Sequence, residues 1–294
     1  SELEVGEIVL GCMSLGKDRG KAIRIIHEAL EKGVNFLDTA DLYDDGLNEE
    51  IVGEAIRGRR QDVIVATKVG NRRIPGRDGW VWDPSKAYIR SAVKESLRRL
   101  RTDYIDLYQL HGGTIEDNID ETIEAFEELK REGVIRYYGI SSIRPNVIRE
   151  YVRRSGIVSV MSQYSILDRR PEEEVLPLLA GHGVSLIARG PVARGILTDV
   201  GRAKASGGYL DYGAEELAGV LDGLAGLCNI ERNLAQTALR YPLACPAVAT
   251  VIPGASTLTQ LSDNVKAAAV PELTAEEIAA IRRMSRPNRY QEHR

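Results

Sequence analysis

Apolar residues along this chain fall into short continuous runs, separated by segments in which they recur every three or four positions. Eight runs read as strands: Glu7–Gly11, Asn35–Thr39, Val63–Lys68, Ile105–His111, Ile135–Ser141, Val158–Gln163, Val184–Arg189 and Ala247–Ile252. They are largely apolar rather than alternating, as strands covered on both faces should be. Between them, Arg19–Lys32 sets Ile23, Ile26 and Leu30 on one helical face. Ser85–Leu100 sets Ile89, Val93, Leu97 and Leu100 on one face, with basic residues opposite. Asn118–Arg131 and Pro171–Leu179 read as further helices. Asp83-Pro84 predicts a helix start, with Asp83 as cap and Pro84 in the first turn. Gly33, Gly133 and Gly183 each follow a helical run, where a left-handed terminal residue is expected.

Eight strand–helix units predict a (β/α)8 barrel forming one domain over 1–294, an architecture of about 250 residues. A doubly wound sheet is the competitor, but its GxGxxG fingerprint after the first strand is missing. The glycine-rich stretch 198–226 predicts a flap after the seventh strand, with a short helix around Ala214–Leu224.

Composition removes other classes. With 39 Lys and Arg against 43 Asp and Glu, the 294-residue chain carries a net charge of −4. The mixed signs argue against nucleic acid as a partner. The longest uncharged stretch, Tyr241–Ser262, holds three prolines and is no membrane span. No basic stretch followed by an apolar run opens the chain, so no signal peptide is expected. Three scattered cysteines form no disulfide framework and point to a reduced, cytoplasmic setting. The four histidines are isolated, with neither HxH nor HExxH, so no metal site is expected.

Gly11-Cys-Met-Ser-Leu-Gly16-Lys17 nearly matches a phosphate loop. The next residue is Asp18, where Ser or Thr should hold magnesium, and a carboxylate there repels phosphate. It reads instead as an ordinary strand–helix connection. The informative groups sit at strand C-terminal ends, where barrel enzymes keep their sites. These are Asp38 in FLDTA, Lys68 in VATK and His111 in LYQLH, with Tyr43 in the turn after strand two. Singly, Asp38 reads as a turn cap, Tyr43 as loop packing, Lys68 as a buried partner for Asp38 and His111 as a core histidine. Four on one rim are hard to explain as structure, because a buried ion pair seldom stabilises a fold. An ammonium beside a phenol lowers its pKa, a carboxylate holds the ammonium, and an imidazole orients a carbonyl. That is a general acid over a carbonyl oxygen, and the hydride must come from a nicotinamide cofactor.

LDTADLYDDGLNEEIVGEAI (37–56), VATKVG (65–70), SLRRLRTDYIDLYQLHGG (96–113) and VIPGASTLTQLSDN (251–264) resemble the aldo-keto reductases. The likeness is greatest to the bacterial branch that also contains potassium-channel β-subunits. The resemblance implies a (β/α)8 barrel that uses NADPH or NADH without a Rossmann domain. It implies Asp38, Tyr43, Lys68 and His111 as catalytic tetrad, with Tyr43 as proton donor to a small aldehyde or ketone.

It also implies cofactor contacts. Cys12 and Met13 follow strand one, and Ser141 would meet the nicotinamide carboxamide. Met161 stands where the family has Gln, and Gln163, on the same strand face, is a candidate for the missing amide. After strand seven, Arg189 replaces an aromatic residue. It would stack on nicotinamide or, with Gly190, Pro191, Val192, Arg194 and Gly195, meet the pyrophosphate. Ile252, Gly254, Ser256 and Thr257 lead into a helix whose N-terminus suits a 2′-phosphate. Gln260 and Asn264 match adenine contacts. NADPH is favoured, with NADH as the alternative. Met13, Trp80 and Trp82 are read as the apolar wall of the substrate pocket. Two rivals stand beside this reading: a nicotinamide-binding redox sensor with slow turnover, and a lyase using Lys68 as Schiff-base nucleophile. No particular oligomer is implied.

Overall fold

The computed structural model describes all residues, Ser1–Arg294. Its main sheet has eight parallel strands in chain order: β1 Leu10–Gly11, β2 Phe36–Asp38, β3 Ile64–Val69, β4 Ile105–His111, β5 Ile135–Ser141, β6 Ser159–Gln163, β7 Ser185–Arg189 and β8 Val248–Ile252. The ring closes between β1 and β8. Val9 N donates to Val251 O at 3.1 Å and Gly11 N to Pro253 O at 3.3 Å, with bridges Ile8–Val251 and Gly11–Gly254. Helices follow the strands and cover the outside, giving the expected (β/α)8 barrel as a single domain. No helix is long and apolar enough to cross a membrane.

Period-two alternation explains the interior. Val9, Phe36, Ala66, Leu107, Met161, Ile187 and Ile252 form a separate buried cluster inside the ring, while the larger apolar core lies between strands and helices. Two residues further along five of these strands, on the same inward face, the side chain turns polar. Asp38 follows Phe36, Lys68 follows Ala66, Gln109 follows Leu107, Gln163 follows Met161 and Arg189 follows Ile187. An apolar plug is therefore capped by a polar layer at the C-terminal mouth. Met161 is 1% exposed and belongs to the plug; Gln163 belongs to the layer above it.

Several local expectations shift. The first helix is Arg19–Glu31; its fully buried stripe is Ala22, Ile25, Ile26 and Ala29, with Ile23 and Leu30 partly buried against the same core. Asp18 caps it by accepting from Lys21 N, which accounts for the carboxylate after the glycine loop. The third helix starts later than expected, at Lys86, with Ser85 as cap accepting from Tyr88 N. Asp83 lies ahead of the cap: its N–H donates to Gly70 O, and its carboxylate accepts from Arg72 Nε and Ser85 N. The stretch 198–226 carries helices Gly201–Lys204 and Ala214–Ala225. Leu217, Leu221 and Leu224 of the latter are buried, and Gly223 lies against Met284 of the helix Ala275–Met284. The C-terminal residues are pinned too, Arg286 N donating to Tyr212 OH at 2.6 Å and Asn288 Nδ2 to Leu167 O at 3.0 Å.

Candidate active site

β2, β3 and β4 deliver Asp38, Lys68 and His111 to one rim, and the turn Tyr43–Gly46 returns Tyr43 over them. Asp44 and Asp45 in that turn hold left-handed backbones, φ 47° and 60°. Such conformations cost roughly 1–3 kcal/mol each and persist only where surroundings impose them. The imposed frame is a buried polar network. Asn48 Nδ2 donates to Cys12 O and Thr39 Oγ1 to Asn48 Oδ1; Glu49 accepts from Thr67 Oγ1 at 2.7 Å and Arg99 Nε at 2.8 Å. Asn48 and Glu49 are both 0% exposed. Neither stood out in the sequence, because their partners lie far along the chain.

Lys68 is 1% exposed and its Nζ meets three acceptors: Asp38 Oδ2 at 2.7 Å, Thr39 O at 2.8 Å and Tyr43 OH at 3.1 Å. An ammonium has three protons and no lone pair. All three are committed, and Tyr43 oxygen receives one of them. The Tyr43 proton therefore cannot point at Lys68 and is left free for another acceptor. Burial alone pushes Lys68 down, but the Asp38 charge, Tyr43 and their hydrogen bonds outweigh it, so its pKa is raised and it stays charged.

The Tyr43 phenol departs from the expected direction. Burial raises its pKa and is the largest influence. The Lys68 ammonium opposes it, Asp38 raises it further, and the net is above the ordinary tyrosine value. Desolvation of a phenolate this deep outweighs one cation that is itself neutralised by a carboxylate. Tyr43 thus holds its proton at neutral pH. His111 packs edge-on against the Tyr43 ring, centroids 6.1 Å apart at 87°. Burial, then Lys68 and Arg189, push it down to about 3, so it is a neutral imidazole at pH 7; its buried Nδ1 has no protein partner.

Asp41 sits two residues before Tyr43 with a buried, unpartnered Oδ1. Burial and the Glu49 charge raise its pKa from 3.8 to about 7. Between these values the folded chain keeps a proton that the unfolded chain has lost. Stability from this group therefore falls as pH rises from about 4 towards 7. Asp41→Asn is expected to change stability little at pH 4 and to add up to about 4 kcal/mol at pH 8, read by denaturant unfolding at both pH values.

The other expected residues divide clearly. Cys12 is fully buried, burial pushes its thiol up, and its carbonyl is taken by Asn48, while the neighbouring Met13 is 63% exposed. Ser141 ends β5 in register with His111 and Met161. Gln163 Nε2 donates to Tyr209 OH at 2.6 Å, an engagement the sequence did not foretell. After β7, Ala193 and Arg194 have φ of 50° and 59° between Gly190 and Gly195, a second strained turn on the rim that also contains Pro191 and Val192. Ser256 and Gln260 hydrogen-bond each other, Thr257 caps the helix Leu258–Lys266, and Asn264 Nδ2 donates to Gly254 O beyond Ile252.

A nicotinamide dinucleotide needs an amide-binding end and an anion-binding end. Ser141 and Gln163, at the tips of adjacent strands, are polar groups that could serve as the first. Arg189 and Arg194, neither paired with a carboxylate, and a nine-residue helix opening after Thr257 could serve as the second. The residues present fit such a group.

Trp82 lies in a hairpin, Asn71–Arg73 with Trp80–Trp82, and its Nε1 donates to Asp117 at 3.0 Å. Its ring rests on Gly70, where a Cβ would stand 2.4 Å from Cζ3, and near Gly112, next to His111. Gly70 also has φ 133°, which only glycine adopts freely. Trp80 is 51% exposed. Of the eight exposed large apolar residues, five (Met13, Trp80, Ile115, Ile143 and Val200) lie between a barrel strand and the helix after it, and Leu258 opens the helix that follows β8. The mouth is thus where this surface is apolar, above a polar floor.

Comparison with known proteins agrees with this geometry. The model of the Aldo/keto reductase family matches residues 7–286. An uncharacterized oxidoreductase of Bacillus subtilis, YqkF, is 59% identical, covering 100% of this chain and 97% of that one. The holo form of aldo-keto reductase AKR11C1 from Bacillus halodurans superposes with a TM-score of 0.94 at 60% identity, covering 100% and 96% of the two chains. An aldo/keto reductase from Klebsiella pneumoniae, solved in complex with NADP and acetate, superposes at 0.79 with 27% identity, covering 98% and 94%. A closed eight-stranded barrel, a charged floor beneath an apolar mouth and a family match over nearly the whole length lead to one statement: this chain belongs to the aldo/keto reductase family and is an oxidoreductase.

Proposed function

We propose that the protein reduces an aldehyde or ketone to the alcohol with a reduced nicotinamide cofactor, NADPH in preference to NADH, and that Tyr43 supplies the proton. The observation that carries this reading is the commitment of all three Lys68 protons, which leaves the Tyr43 hydroxyl proton as the one free to depart. The cofactor, when bound, supplies a hydride to the carbonyl carbon. Tyr43 gives its proton to the carbonyl oxygen as negative charge develops there. The resulting phenolate is stabilised by the ammonium already bonded to its oxygen. Asp38 keeps that ammonium charged and aimed. His111, neutral at working pH, orients the carbonyl through a ring nitrogen. Met13, Trp80 and Trp82 enclose the apolar part of the substrate.

Ser141 and Gln163 would hold the carboxamide. Arg189, Arg194 and the turn 190–195 would hold the pyrophosphate. Ser256, Thr257, Gln260 and Asn264 would hold the adenosine end. The NADP bound by the Klebsiella relative supports the preference for NADPH. A Schiff-base role for Lys68 is disfavoured, because its charge is held by a buried carboxylate and none of its protons is free to leave. The test is isotopic. NADPH carrying deuterium at both C4 positions, incubated with a panel of aldehydes, is expected to place one deuterium on the carbinol carbon of the product, read by mass spectrometry. Unlabelled alcohol, or no alcohol with any aldehyde, would sink the proposal.

A further inference from the structure

The arrangement at Lys68 works only while its third proton is kept for Tyr43, and the group that secures this lies outside the four residues already named. Asp38 has two oxygens. Oδ2 takes Lys68 Nζ at 2.7 Å, and Oδ1 takes Gln109 Nε2 at 3.1 Å. Gln109 is 0% exposed and lies beside Lys68 in the β3–β4 register, one inward position below His111. The orientation of its amide follows from chemistry. Both groups within reach of Nε2, Asp38 Oδ1 and Thr67 O at 3.5 Å, are acceptors, so the nitrogen must face them. No protein donor reaches its Oε1. The shorter and charged of its two contacts is with Asp38.

We infer that Gln109 is a positioning residue for the proton transfer: by occupying Asp38 Oδ1 it restricts the carboxylate to one hydrogen bond with Lys68 and so reserves the third ammonium proton for Tyr43. A carboxylate is a stronger acceptor than a phenol. Freed from the amide, Asp38 turns about its Cβ–Cγ bond and offers both oxygens to the same nitrogen, and Tyr43 loses its donor. This rests on Tyr43 as the proton donor.

Gln109→Met keeps the length of the side chain and removes the donor. It is expected to lower kcat about tenfold, the worth of one charge-assisted hydrogen bond. KM for the aldehyde and the NADPH dissociation constant are expected to stay at wild-type values, with the chain still folded at the assay temperature. In an Asp38→Asn background, followed by single-turnover rates, the same substitution is expected to cost nothing further. Gln109→Asn, whose amide is one methylene short of Asp38, is expected to match Gln109→Met and serves as a second chain if the first folds poorly. Wild-type kcat in either variant would overturn the inference. So would an equal loss with and without the Asp38 carboxylate, which would reduce Gln109 to packing. A fully active Gln109→Met beside an inactive Tyr43→Phe defeats only this inference. An active Tyr43→Phe defeats the proton-donor reading itself.

Discussion

Tyr43→Phe is expected to abolish carbonyl reduction, lowering kcat by a factor of about 10²–10⁴, the usual worth of a placed general acid. The NADPH dissociation constant, read by fluorescence titration, is expected to stay within twofold or so, since only a terminal hydroxyl is removed. The size of the loss follows from the hydrogen-bond inventory. Lys68 cannot substitute: Asp38 and Thr39 keep two of its protons, and the raised pKa keeps the third, released from the lost phenol oxygen, on the nitrogen. His111 cannot substitute, because burial and two cations leave it neutral with a pKa of about 3. With the phenol gone, no group of suitable acidity in this constellation is placed to give a proton. Retention of wild-type kcat would remove Tyr43 from the reaction.

Lys68→Met is expected to be as damaging to turnover and far more damaging to the fold. Asp38 is 3% exposed, and its charge would be left with only the Gln109 amide. Removing one partner of a buried ion pair typically costs about 3–5 kcal/mol, whereas removing both is close to neutral. Lys68→Met alone should therefore show a large drop in stability by denaturant unfolding. Lys68→Met with Asp38→Asn should recover most of it while remaining inactive. Recovery of activity together with stability would mean that the pair serves the fold alone. Unchanged stability in the single variant would mean that Asp38 is not the buried anion described here.

Much of this was legible from residues alone. The seven longer barrel strands differ from the apolar runs by at most a residue or two at an end, because burial on both faces leaves a continuous apolar stretch in the chain. β1 is the exception, reduced to Leu10–Gly11 with an isolated bridge at Ile8, since it closes the ring against a neighbour that arrives last. Asp38, Lys68 and His111 stood out because strand ends bear the functional groups of barrels. Gln109 was legible in the same way, two positions before His111 on the inward face. Nothing near it in sequence shows what its amide touches, because Asp38 is 71 residues away. Asn48, Glu49 and Arg99 were hidden for the same reason, and so was the seat of Trp82 on Gly70.

By itself the sequence determined the eightfold alternation, the inward face of each strand and the set of groups that reach the mouth. All three follow from local geometry, the period of a strand and the place where it stops. Only the tertiary structure decided what those groups are chemically. It showed that Tyr43 is held protonated rather than acidified, that every Lys68 proton is spoken for and that burial and the Glu49 charge push Asp41 up. Desolvation and hydrogen-bond partnership depend on atoms brought together from strands tens of residues apart, and no local pattern carries them.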